Sequence, residues 1–314
     1  MIMQAVFALW IASALLIILE RRVLRIFIFF CIFSLVTSLC YLFLGAPDVA
    51  MAEVAIGSFI TVFFIICFEK YYGLIDSSKN AKDDKKEPVN VKGIVAPLLF
   101  TGFLFALFVY FSPDAEVDPY LRDLYVSRFA HEIGGSNAVT AIYLGYRVYD
   151  TLLEALMLLI SVVAVSHLSW HGETKVTDGK RSILREDKAV FIVRIICPVI
   201  LLVGLYLVTH GHVSAGGGFQ GGVLIASFFI CRYMVHDIYD IKIDKFANLE
   251  KLIFASLTLI AVLVVSLGVI AHWPTGHLVL FQNTYLIMMN ALIGLKVTCS
   301  FTILCYRYIA IEGR

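Results

Sequence analysis

Charge is scarce along this chain. Asp, Glu, Lys and Arg make up 16% of its 314 residues, while hydrophobic residues make up 60%. A soluble domain carries about 25% charged residues, so there is too little here to clothe a water-facing surface. Net charge is only +1, which leaves no basic footprint for nucleic acid. The seven cysteines, Cys31, Cys40, Cys67, Cys197, Cys231, Cys299 and Cys305, form no CxxC pair and lie in or at the ends of apolar runs. They read as buried small hydrophobes, not as disulfides or metal ligands. Walker loops, dinucleotide fingerprints, haem motifs and iron–sulfur spacings are all missing. No cofactor, no catalytic residue and no metal site is therefore expected, and the chain does not read as an enzyme. No inverted repeat of the kind found in self-sufficient transporters is visible, which points to one part of a larger assembly. The N-terminus has no basic n-region or clear cleavage site, so its apolar run reads as a retained span rather than a signal peptide.

What is present is a series of apolar runs near the length needed to cross hydrocarbon. They define an all-α, polytopic transmembrane chain in contact with the lipid bilayer. Nine spans are read, at about 2–19, 26–44, 49–68, 94–112, 149–168, 189–208, 219–235, 249–271 and 284–306. Lys and Arg crowd the connections after the first, third, fifth, seventh and ninth spans, while the alternate connections hold only Arg122, Arg128 and Arg147. That asymmetry places the N-terminus outside and the C-terminus in the cytoplasm, as a multi-pass protein of the cell membrane. Charged, solvated linkers at 76–92 and 169–188 divide the spans into groups of three, two and four. The external segment 113–148 carries Leu121, Leu124, Tyr125 and Phe129 at helical spacing, which predicts a short amphipathic helix ended by Ile133-Gly-Gly-Ser-Asn.

The densest signal is Thr209-His-Gly-His-Val-Ser-Ala-Gly-Gly-Gly-Phe-Gln-Gly-Gly. Glycines Gly216, Gly217, Gly218, Gly221 and Gly222 open the seventh span and let another backbone approach closely. Gly217 with Gly221, and Gly218 with Gly222, are four apart and so share a helix face. His210 and His212 flank this stretch; no Cys, Asp or Glu lies close enough to suggest a metal, and capping or proton handling is the better reading.

Ionisable residues within spans are costly unless paired, hydrated or neutralised. Pro47 suits a helix start and Asp48 a cap of the free N–H groups there. Glu53 lies about 7 Å deeper, where it serves either an ion or proton relay or a buried packing hydrogen bond. Asp150 and Glu154 share a face at the start of the fifth span, Asp150 as a cap and Glu154 at a depth like that of Glu53. The two glutamates suggest one shared wet cavity. Lys296 sits mid-way along the ninth span, with Asn290 six residues earlier, and is too central to reach either interface. It needs a carboxylate, water or carbonyl partner, from this chain or a neighbour.

His212-Val-Ser-Ala-Gly-Gly-Gly-Phe-Gln-Gly-Gly-Val-Leu-Ile-Ala resembles the signature of the MnhB/MrpB component of multisubunit Na⁺/H⁺ antiporters, over a four-span module at 189–314; Ala215 stands where a proline is common. Ala46-Pro-Asp-Val-Ala-Met-Ala-Glu-Val-Ala-Ile-Gly looks like an MbhD-type three-span module, 1–75. Gly135-Ser-Asn-Ala-Val-Thr-Ala-Ile through Tyr146-Arg-Val-Tyr-Asp-Thr-Leu-Leu-Glu looks like an MbhE-type two-span module, 94–168, although Gly145 and Leu153 depart from the pattern. The resemblance implies a subunit of an Mrp antiporter or of a related respiratory complex, such as a membrane-bound hydrogenase or sulfane reductase. It implies Na⁺ or H⁺ handling with Glu53 and Glu154 at the family's intramembrane acidic positions, and other subunits of such a complex as partners. Two roles follow. In one, Glu53 and Glu154 carry a cation and Lys296 competes with it. In the other, the chain is a scaffold: the carboxylates are structural and the glycine face docks a neighbouring subunit.

Overall fold

The computed structural model describes residues 2–20, 22–72, 99–103, 106–107, 110, 120–168, 187–235, 243–266 and 279–310. Among these, regular structure is helical. The chain runs α1 (Ile2–Leu19), α2 (Val23–Phe43), α3 (Pro47–Tyr72), α4 (Tyr120–Glu132), α5 (Ala138–Ala141), a π turn (Ile142–Tyr146), α6 (Val148–Leu168), α7 (Asp187–His210), α8 (Gly218–Val235), α9 (Ile243–Ser266) and α10 (Val279–Ala310). Seven of these helices are long and apolar enough to cross a membrane, and the shorter Gly218–Arg232 stretch is apolar as well. The span expected at 94–112 falls largely outside the described residues, as do the linker 76–92 and nearly all of 169–188.

Helix α10 is the axis. Of its Gln282–Arg307 window 67% is buried, against 6–28% for the other long apolar helices. It packs on α3, α6, α7, α8 and α9, while α1 rests on α2 and α2 on α3. The α2–α3 hairpin closes through Gly45 at φ +74°. Gly45 N–H bonds Leu42 O at 3.1 Å and Ala46 N–H bonds Tyr41 O at 2.9 Å, the pairing that satisfies the last carbonyls of a helix ended by a left-handed glycine. Pro47 then starts α3 as the sequence predicts. Ser34 and Ser38 on α2 donate to Glu53 O and Ala50 O on α3. These bonds, with Gly57, hold the hairpin tight.

The segment expected to be an external connection is half helix and half embedded. Helix α4 places Leu124, Tyr125 and Phe129 inward and leaves Leu121 exposed. Beyond Gly134 and Gly135 the chain turns into the protein interior. Thr140, Ala141 and Leu144 are fully buried, and Tyr285 on α10 donates to Leu144 O at 2.9 Å. Nine residues are too few for a run of spanning length, yet enough to plug the bundle from one end.

Candidate functional site

Asn137 ties three distant parts of the chain into a polar clasp. Its Oδ1 caps α5 by accepting from Val139 N at 2.9 Å. Its Nδ2 donates to Asp48 Oδ1 at 2.9 Å, Ser214 O at 3.0 Å and Gly211 O at 3.2 Å. Asp48 Oδ1 also accepts from Gly216 N at 3.2 Å. So Asp48 does not cap its own helix as expected; it holds the glycine loop instead. The backbone oxygen of His212 accepts from Ser136 N at 2.9 Å and Asn137 N at 3.1 Å. Gly135, at φ +77°, passes so near this oxygen that a Cβ there would lie 2.8 Å from it. Thr140 Oγ1 donates to Gly211 O at 2.6 Å. Tyr143 donates to Asn290 Oδ1 at 2.9 Å, and Gly218 N, at the start of α8, donates to the same atom at 3.0 Å. Burial pushes the Tyr143 hydroxyl up to about 12, with the Asp48 and Glu154 carboxylates adding to the rise. Nearby, burial and a 2.6 Å bond to Glu132 also raise Tyr146.

The histidines contribute backbone more than side chain. His210 O accepts from Val213 N and Ser214 N. The His210 ring is exposed, stacks on Tyr206 with centroids 4.4 Å apart and meets Thr209 Oγ1 at 3.0 Å. His212 Nδ1 lies 3.1 Å from Thr209 O.

Glu53 is half-buried on the α2–α3 seam, where Ser34 Oγ donates to its Oε1 at 2.8 Å. Gly57 makes this possible, since any Cβ there would collide with Ser34. Glu154 faces outward on α6 and makes no hydrogen bond among the described residues. Asp150 pairs instead with Arg147, one turn back, on an exposed surface. The two glutamates thus belong to different helix pairings: α3 packs on α2, α8 and α10, and α6 packs on α9 and α10. The contacts that Glu53 and Glu154 make do not include one another.

Lys296 finds its counter-ion within the chain. Its Nζ lies 3.1 Å from Glu250 Oε1 on α9 and 3.1 Å from Ser300 Oγ. Ser300 Oγ also contacts Glu250 Oε1. Lys296 is 0% and Glu250 1% exposed. In the sequence Glu250 does not stand out, because it lies at the edge of the span read as 249–271, beside Lys251. Helix α9 starts earlier, at Ile243. The buried stripe Glu250, Ile253, Leu257, Ala261 has the i, i+3, i+7, i+11 period of a helix face, which was the available signal.

The glycines do not form one docking face for a neighbour. A Cβ on Gly218 would lie 2.4 Å from Asn290 O, and one on Gly222 2.6 Å from Gly294 O, both on α10. A Cβ on Gly221 would lie 2.6 Å from Gly204 O on α7. Gly216 and Gly217 precede the helix, with φ +148° and +157°. The reason is angular: residues 221 and 222 are about 100° apart around the axis, so one faces α7 and the other α10, and α8 is wedged between them.

Tightly joined helices of spanning length around an axis with a buried charge pair define a multi-pass helical membrane protein. Comparison with known proteins then places its parts. Residues 189–303 match the domain related to the MnhB subunit of Na⁺/H⁺ antiporter, and residues 8–71 match MbhD, the D subunit of MBH. The chain thus carries one region similar to an MnhB-related domain and another similar to MbhD. It is 25% identical over 228 residues to the A/B subunit of a probable K⁺/H⁺ antiporter of Rhizobium meliloti, covering 64% of this chain and 22% of that protein. Its fold matches a chain in the structure of the Mrp complex from Dietzia sp. DQ12-45-1b with TM-score 0.74 and 18% identity, over 99% of this chain and 35% of that one. It also matches a chain of the membrane-bound sulfane sulfur reductase, an archaeal respiratory membrane complex, with TM-score 0.54 and 28% identity, over 68% of this chain and 96% of that one. The chain spans about half or less of the length of the curated relatives it matches.

Proposed function

We propose that this chain is a cell-membrane subunit of a multisubunit cation/proton antiporter or of an Mrp-related respiratory complex. Its work is to help move Na⁺ or H⁺ beside other subunits, with no covalent chemistry of its own. The three modules at 1–75, 94–168 and 189–314 act together in this reading, the middle one as an MbhE-like unit, with the N-terminus outside. One observation carries it. Lys296 is neutralised by Glu250, Asp150 pairs with Arg147, and Asp48 is held by an amide and a backbone N–H. Glu53, a turn and a half inside α3, has instead one neutral hydroxyl donor among the described residues. A carboxylate at that depth without a counter-charge takes up a proton, a cation or water. Exchange among these is the elementary act of antiport. Glu154 supplies a second such group on the outer face of α6. Lys296 is paired with Glu250, so in this reading it does not compete with a cation bound at Glu53. The scaffold alternative loses its main support, because α7 and α10 fill the glycine faces.

The test is Glu53→Gln in the intact complex. It should assemble at the normal level and lose cation-dependent proton movement in vesicles. Unchanged Na⁺- and K⁺-dependent transport in that variant would overturn the reading.

A further inference from the structure

Buried polar side chains continue along α10 well beyond the clasp. Gln282, Asn290, Lys296, Thr298, Ser300 and Thr302 are each 5% exposed or less. Thr298 spends its hydroxyl on Gly222 O and Gly294 O, and Gln282 donates to His131 O. Two of the others are left over: Asn290 Nδ2 and Thr302 Oγ1 are buried with no hydrogen-bond partner among the described residues. The Asn290 amide is not simply reversed, because its Oδ1 must accept from Gly218 N. Buried polar atoms of this kind are the points where internal water binds.

These two orphan groups flank the Lys296–Glu250 pair. Each lies six residues from Lys296, about 9 Å along the axis, one on either side. The ammonium has three N–H donors and two acceptors here, Glu250 Oε1 and Ser300 Oγ. Cys299, three residues on along α10 and also buried, is a further titratable group near Lys296 among the described residues. A buried ion pair is a poor stabilising device, since desolvation offsets most of the attraction. Hydrophobic residues of the same volume would pack α9 against α10 as well or better.

We propose that α10 carries an internal proton path, with Glu250 as its central acceptor and Lys296 as the charge that controls it. This rests on the transport reading above and adds a second carboxylate to it, on a different helix from Glu53. The step balances as follows. A proton passes from Lys296 Nζ to Glu250, breaking an N–H bond and forming an O–H bond, and the pair becomes neutral. Glu250 then releases that proton to water at one end, and the Lys296 amine takes one from hydronium at the other. One proton has crossed and the ion pair is restored.

Two measurements on the intact complex test this. The first compares Glu250→Gln, Lys296→Met and the double variant. Each single change strands a group in the core and reduces assembly. The double variant removes both charges together, so it assembles, while proton flux in liposomes falls about a hundredfold, the low end for loss of a positioned proton-transfer group. Normal flux in the assembled double variant would overturn the proposal and leave a structural pair. The second uses the unaltered chain. Dicyclohexylcarbodiimide, a membrane-permeant reagent for protonated carboxyls, should label Glu250 increasingly as pH falls, read by peptide mass spectrometry. Labelling of Glu53 but not Glu250 would overturn the path while sparing the Glu53 reading. Labelling of Glu250, with normal cation dependence in Glu53→Gln, would do the reverse.

Discussion

Asn137→Ala and Asn137→Asp should destabilise the protein by different amounts and for different reasons. In the native clasp the two N–H bonds of the Asn137 amide serve three acceptors, one of them the Asp48 carboxylate. The bond to a charged acceptor contributes about 2 kcal/mol and the shared bond to carbonyls about 1. The cap on α5 contributes about 1 kcal/mol more. The Ala variant loses all of this, about 4 kcal/mol. The Asp variant keeps the cap, because aspartate caps as well as asparagine. It nonetheless sets a second carboxylate oxygen where Nδ2 stood, 2.9 Å from Asp48 Oδ1. At an effective dielectric of about 20 that repulsion is about 6 kcal/mol, so at neutral pH it should be the worse variant. Acid should rescue it. Its new carboxyl has a folded-state pKa raised by Asp48 above the ordinary value of about 4. The penalty is absent below that ordinary value and grows as pH rises through it toward the folded pKa. Thermal unfolding of the purified protein in detergent at pH 4.5 and pH 7, as differences from the unaltered chain, reads both effects. An Asp variant at least as stable as the Ala variant at pH 7, or one indifferent to acid, would refute the clasp as drawn.

Three further outcomes are expected. Tyr143 has an ordinary pKa of 10.0 that burial raises to about 12; the folded state is penalised as pH climbs from 10 through 12, because the unfolded chain ionises first. Alkaline unfolding should therefore steepen over that interval, and Tyr143→Phe should reduce the steepening in a pH-jump absorbance titration, leaving the share that the raised Tyr146 contributes. Gly222→Leu should abolish folding of the chain, because even a Cβ would sit 2.6 Å from Gly294 O; normal yield and thermal midpoint would count against the α8–α10 contact. Arg147→Ala should change stability by less than about 1 kcal/mol, as exposed ion pairs do, which the same thermal assay would register.

How far the sequence could be read depended on length. Helices α1, α2, α3, α6, α7, α8, α9 and α10 each rest on an apolar run long enough to announce itself, although α9 and α10 begin about a turn and a half earlier than expected. The embedded stretch 138–146 has no such run. Its signals are an asparagine that caps and glycines that admit a neighbouring carbonyl, and both look the same in an exposed loop. Site residues divide in the same way. Glu53 and Lys296 stand out because charge is rare inside spans. Asn137, Tyr143 and Glu250 do not, because their importance lies in partners brought from far along the chain. The glycine motif was legible as a close-packing device, but which helices it admits is a matter of angle around α8, and that emerges only when α7 and α10 are in place.

The clasp also sets a schedule for making the protein. Asp48 waits for Asn137, 89 residues later, and for Gly216, 168 residues later. At a ribosomal pace of about 5–20 residues per second, the second partner follows Asp48 by about ten to thirty seconds. Throughout that interval the α2–α3 hairpin is already long and apolar enough to enter the bilayer, yet it carries an aspartate without its final partners. The early helices are thus held in a provisional arrangement that later synthesis completes. A ribosome paused between Asn137 and Gly216 would leave a chain that is inserted but not yet locked, and membrane quality control would meet it in that state.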